Sequence, residues 1–254
     1  MNVIWEQDGG VGRITLNRPD SLNAWTDEFG RELKEAVTET AADDSVRAVL
    51  ITGAGTAFTA GNDLKDFSNP RFIEPDSPVL GFMHALAAFE KPVVAAVNGL
   101  AVGIGVTLLL HCDLVYVADN ATFSMPFTSL GLVPEFASTL LLPLVAGRVR
   151  AAEKLLLGRP FPAAEAVVMG LANAVLPAAE LLPHARKVAE AFNSLPPGAV
   201  RASKKLLREA QAAVIQEAIQ REASHFGPRL AGGEAREAIA AILEKRPPDF
   251  SKFE

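Results

Sequence analysis

The sequence predicts an α/β core followed by an all-helical C-terminal region, and three observations carry that prediction. Short apolar, β-branched runs at 46–52 and 92–97 alternate with helical segments up to about residue 195. Each of these runs leads into a glycine-punctuated crossing, at Gly53, Gly55 and Gly61 and again at Gly99, Gly103 and Gly105. Beyond Leu195-Pro196-Pro197-Gly198, which reads as a hinge, only helical periodicity remains. The chain therefore divides into a core at 1–195 and a helical region at 196–254. The apolar face of that region must pack on the core or on a neighbouring subunit.

Residues 2–7 and 11–16 are short strands around Asp8-Gly9-Gly10, a hairpin signal. Thr26 caps a helix that runs to about Thr40, and Asp43-Asp44 turns the chain into the strand at 46–52. Residues 65–78, rich in Pro, Asp, Asn and Phe without periodicity, read either as a lid over a pocket or as an ordinary surface connection. A helix at 79–89 precedes the strand at 92–97, which Asn98-Gly99 breaks. Residues 104–110 read as a short buried helix and 113–117 as a further strand. Helices follow at 136–145, ended by Gly147, and at 149–157 and 162–169. A strand at 173–176 and a helix at 179–193 close the core; helices at 199–226 and 234–244 form the tail.

Composition narrows the function classes. A net charge of −6 does not suggest a nucleic-acid surface, and no apolar run is long enough to suggest a membrane span. No secretory leader is recognised, so a cytoplasmic protein is expected. The single Cys112 excludes an internal disulfide and reads as a core residue, as does His111 beside it. His84, His184 and His225 lack ligand spacing, so no metal is expected. Ser124, Ser129 and Ser138 lie outside any nucleophile-elbow pattern, which argues against a serine hydrolase.

The positive signal lies in 91–135. A strand, a glycine-punctuated turn and a helix N-terminus aim unpaired backbone N–H groups at one point. The same design follows the earlier strand, so the two loops together suit a split anion hole. Glu135 then stands among Leu132, Val133 and Phe136. An anion-binding backbone beside a carboxylate in apolar surroundings suits chemistry next to a carbonyl.

The runs AFTAGNDL at 57–64 and NGLAVGIGVTLL at 98–109 resemble the crotonase (enoyl-CoA hydratase/isomerase) superfamily. ITLNRPDSLNA at 14–24, LPPGAVRASKKLL at 195–207 and EAREAIAAILEKRPPDF at 234–250 extend the resemblance over nearly the whole chain. It implies a crotonase-like spiral of ββα units, with a C-terminal helical region that assembles trimers or hexamers and completes the site. It implies an acyl-CoA thioester as substrate, with CoA part of that substrate and no separate cofactor. The thioester oxygen would sit between the backbone N–H groups of Asn62, after Ala60-Gly61, and Ile104, after Gly103. CoA would run along Asn23, Ala24, Ala60, Asp63 and Leu64, although Asp63 also reads as a backbone cap. Lys245 and Arg246 are either solvated or near the CoA phosphates. A tail Phe often stands near the acyl group in such proteins; Phe226 does not align cleanly and receives no role.

The motifs also discriminate between reactions. Hydratases of this superfamily carry two glutamates, and the matching positions here are Thr107 and Phe127, neither of which can act as a carboxylate. Both are retained as substrate-site positions. The segment ATFSMPFTSLGLVPEF at 121–136 resembles peroxisomal-type Δ3,Δ2-enoyl-CoA isomerases, whose base sits in a similar Pro-Glu pair. The resemblance implies Glu135 as the single base of a double-bond shift. The alternatives are an enoyl-CoA hydratase, another crotonase-type acyl-CoA reaction, or a non-catalytic acyl-CoA-binding protein.

Overall fold

The computed structural model describes residues 1–66, 74 and 76–253. Most of the expected lid segment at 65–78 lies outside the described residues. The chain opens with a hairpin of β1 (Val3–Asp8) and β2 (Val11–Leu16), followed by α1 (Asp27–Ala42). The Thr26 side chain accepts a hydrogen bond from the Phe29 N–H at 3.2 Å, the N-cap that the sequence signals.

Three strand–strand–helix turns then wind one after another. The first is β3 (Ala48–Gly53), β4 (Ala57–Thr59) and α2 (Pro78–Ala87). The second is β5 (Val93–Val97), β6 (Leu100–Val102) and the single turn α3 (Ile104–Thr107), which tightens into a 3₁₀ turn at Leu108–His111. The third is β7 (Leu114–Ala118), β8 (Thr122–Ser124) and α4 (Ser138–Ala146). After α5 (Arg148–Leu157) come β9 (Phe161–Pro162), α6 (Ala163–Val168), β10 (Ala174–Leu176) and α7 (Ala178–Ala191). The tail consists of α8 (Pro197–Leu230) and α9 (Gly233–Leu243).

The winding builds two sheets. The larger runs β1-β2-β3-β5-β7-β10, parallel from β2 onward, with Val49 opposite Val93 and Val94 opposite Leu114. Strands β3 and β5 are fully buried over almost every residue, the continuous apolar pattern of a parallel sheet covered on both faces. The smaller sheet runs β4-β6-β8-β9. Its strands are only two or three residues long, too short to show a period in sequence.

The tail packs into the same core. Ile215, Ala218, Ile219, Phe226 and Leu230 of α8 are buried in one apolar cluster with β3, β5 and α2. Pro197 is the first helical residue of α8, so the Pro-Pro pair initiates the helix, consistent with a fixed φ suiting that position. Among the described residues no helix is long and apolar enough to cross a membrane.

Candidate active site

The two glycine loops lie against each other at the ends of β4 and β6. Gly61 has φ +81°, and a Cβ built on it would stand 2.7 Å from the Val102 carbonyl oxygen. Gly103 has φ +55° and serves as N-cap of α3 without any side-chain cap. Only glycine takes these conformations readily, and at Gly61 only glycine fits the space. The turns present the N–H groups of Asn62 and Ile104, neither of which has a hydrogen-bond partner among the described residues. Unpaired N–H groups are rare in folded interiors, so both are open to a ligand acceptor.

Side chains nearby brace the loops. Asn23 is fully buried: its Oδ1 accepts from the Arg18 N–H, and its Nδ2 donates to the carbonyls of Ala54 and Ala57 at 2.9 and 2.8 Å. The Thr59 hydroxyl donates to Asn23 O and accepts from the Gly61 N–H. Trp25 bridges to the same loop, its N–H donating to Gly61 O and its carbonyl accepting from the Asp63 N–H. The Asp63 carboxylate accepts from the Lys65 N–H and faces Arg18 at 3.6 Å, while Arg18 also holds Ala24 O. Ala24, Ala60, Asn62, Asp63 and Leu64 are half-buried along this edge.

Glu135 lines a pocket of about 510 Å³, open solvent at its mouth included. Asn62, Glu135 and Phe136 line it together with Leu80 and Met83 of α2 and Ile219, Ala223 and Phe226 of α8. Glu74, an exposed residue, is the other carboxylate at its edge. Glu135 is 4% exposed. Its Oε1 accepts from the Thr107 hydroxyl at 2.6 Å, and its Oε2 is buried without a partner. Burial pushes the carboxyl up to about 8; the Thr107 hydrogen bond opposes that shift and the nearby Glu222 charge adds to it.

The position corresponding to one missing glutamate thus hydrogen-bonds the carboxylate that is present. Phe127 is buried with its ring 3.9 Å from where a Gly103 Cβ would be. An aromatic series backs the pocket: Trp25 against Phe82, Phe82 against Phe136, and Phe136 stacked on His111 at 3.9 Å. His111 Nε2–H donates to Phe136 O at 2.8 Å. Burial pushes its imidazole down to about 3, so it is a neutral structural group. Burial likewise drives the Cys112 thiol up to about 12, away from thiolate chemistry. Arg246 pairs with Glu237 and Glu244 of its own chain.

Residue patterns alone leave Phe226 without a role and do not single out Glu222. Phe226 lines the pocket, and Glu222 reaches the turn after Glu135. The available signal was the spacing of Ile215, Ile219, Glu222 and Phe226, which puts an acid on the buried stripe of a long helix.

A split sheet pair wound by strand–strand–helix turns thus carries two N–H groups open to an acceptor at its glycine loops and a buried acid in the pocket that Asn62 lines. The chain belongs to the enoyl-CoA hydratase/isomerase family, whose model matches residues 6–252. It is 37% identical to the 1,2-epoxyphenylacetyl-CoA isomerase of Escherichia coli K12, over 98% of both chains. It is 36% identical to the crotonyl-CoA hydratase of Syntrophomonas wolfei, over 98% of this chain and 97% of that one. The fold matches the crystal structure of an enoyl-CoA hydratase/isomerase from Pseudoalteromonas atlantica T6c with a TM-score of 0.94. That match has 41% identity and covers 98% of this chain and all of the other.

Proposed function

We propose that this enzyme is a Δ3,Δ2-enoyl-CoA isomerase. The observation that carries the reading is the unpartnered Oε2 of Glu135, buried in the lining of an apolar pocket that Asn62 also lines. Ionised Glu135 removes a C2 proton from a 3-enoyl-CoA, leaving a dienolate. Its negative charge rests on the thioester oxygen, held by the N–H groups of Asn62 and Ile104. Such preorganised donors commonly contribute about 3–4 kcal/mol each to lowering a barrier. The protonated Glu135 then returns the proton at C4, and the double bond lies between C2 and C3. A single base suffices because the same proton leaves and returns, and the raised pKa suits it to both steps.

Ala24, Ala60, Asp63 and Leu64 offer a half-buried edge for CoA beside Gly61, with Asn23 holding that edge from inside. The Phe127 ring lies against Gly103, and Thr107 holds the base. Assembly into trimers or hexamers belongs to the same proposal. Leu206 and Leu207, 71% and 84% exposed on α8, support a covered tail face.

Glu135→Gln keeps the shape and removes the base. It is expected to bind a 3-enoyl-CoA normally and lose at least ~1,000-fold in turnover. Isomerisation by this variant at near wild-type rate would overturn the assignment.

A further inference from the structure

The backbone just after the base is strained. Phe136 and Ala137 have φ of 59° and 57°, two consecutive non-glycine residues in the left-handed region. Each such residue crowds its Cβ against the backbone and persists only where its surroundings enforce it. The turn also opens α4 without a cap of its own, because Ala137 occupies the cap position and offers no side-chain acceptor.

The missing acceptor comes from the tail. Glu222 of α8 accepts from the Ala137 N–H at 2.6 Å, from the Thr139 N–H at 2.9 Å, and from the Thr139 hydroxyl. It is 5% exposed, so its three donors replace water around a buried carboxylate. Its helix neighbours Ile219, Ala223 and Phe226 line the pocket. One face of α8 therefore supplies both the pocket wall and the clamp on the turn that carries the base.

We propose that Glu222 is a positioning residue for Glu135: from the helical tail it locks the left-handed Phe136-Ala137 turn and so fixes the base against the pocket. This role rests on Glu135 being the base. A buried carboxylate is an expensive cap, and a hydroxyl or amide acceptor would have sufficed for helix stability alone. The carboxylate has two further consequences. Its two oxygens satisfy three donors on both sides of Ser138, which one amide oxygen cannot do. Its negative charge also acts on Glu135, disfavouring ionisation of the base.

The other groups around the pair are accounted for. Burial raises the Glu222 carboxyl above its ordinary value, opposed by the hydrogen bonds from Thr139 and Ala137 and by the Arg221 charge; Thr107 donates to Glu135, Glu74 lies at the pocket edge, and neutral His111 holds the far side of Phe136.

The test compares Glu222→Gln, Glu222→Asp and Thr139→Val with wild type, in the full-length protein. Readouts are thermal melting and the pH profiles of kcat and kcat/KM on a 3-enoyl-CoA. For E222Q, a loss of ~10-fold or more in plateau kcat with little change in KM is expected, and the acid limb moves to lower pH. E222D is expected to recover part of the plateau, and T139V to lower kcat modestly while leaving the limb in place. E222Q with wild-type plateau and limb would overturn the role. So would an E222Q that melts out while T139V keeps full kcat, which makes Glu222 a stability residue only. E135Q, run alongside, separates the two ideas: if E135Q stays active, the base assignment has failed and not merely the clamp.

Discussion

Thr107 and Glu135, from consecutive turns of the spiral, meet through a 2.6 Å hydrogen bond that occupies one carboxylate oxygen and leaves the other unpaired. The hydroxyl comes from the end of α3, whose start presents the Ile104 N–H. The element that offers a donor for the developing oxyanion therefore also orients the base. Orientation and charge are linked here, because the hydrogen bond stabilises the ionised form that burial disfavours.

Removing that bond should be visible in the pH dependence. Thr107→Val keeps the side-chain shape and leaves Glu135 Oε1 unpaired in the interior. The carboxyl, already at about 8, should rise further, so the acid limb of kcat/KM moves up by roughly one unit and activity at pH 7 falls. An unchanged limb would show that Thr107 does not contact the base in solution.

Glu135 should also lower stability as pH rises. Its folded-state value of about 8 lies above the ordinary glutamate value of 4.5, so between these the folded state holds a proton that the unfolded state releases. The stability it permits is fully present below about pH 4.5 and is lost as pH rises through about 8. Glu135→Gln removes that dependence and should be more stable than wild type near pH 8 by on the order of 4 kcal/mol. Denaturant melts at pH 5 and pH 8 measure this, and an equal difference at both would contradict it.

Gly61→Ala should separate the two loops. The added Cβ meets the Val102 carbonyl oxygen at 2.7 Å, and the residue must hold φ +81°. Neither strain can be relieved by a side-chain rotation, so a cost of ~2 kcal/mol or more and a turnover loss above ~100-fold are expected. Normal turnover with a normal melt would show that the loops do not need this approach.

Much of the fold was legible because its period is written in buried residues. The strand at 46–52 appears as Ala48–Gly53, and the Thr26 cap lies where its hydroxyl predicts. Short β4, β6, β8 and β9 were not legible from periodicity, because two or three residues cannot show alternation. Gly61 and Gly103 could be read from sequence because positive φ selects glycine. Phe136 and Ala137 could not, because there tertiary contacts from Glu222 and His111 override the local preference. The same long-range packing left Phe226 without a role in sequence and hid Glu222: Phe226 lines the pocket and Glu222 reaches the turn after Glu135 only once α8 folds back onto the core.

The central claim is a proton moved from C2 to C4 by one carboxylate. The most direct measurement incubates the protein with a trans-3-enoyl-CoA and, separately, with a trans-2-enoyl-CoA, following ultraviolet absorbance and mass. The account predicts conjugation of the 3-enoyl substrate at constant mass and no gain of water by the 2-enoyl substrate. Addition of one water to the 2-enoyl substrate, with no shift of the 3-enoyl double bond, would contradict it.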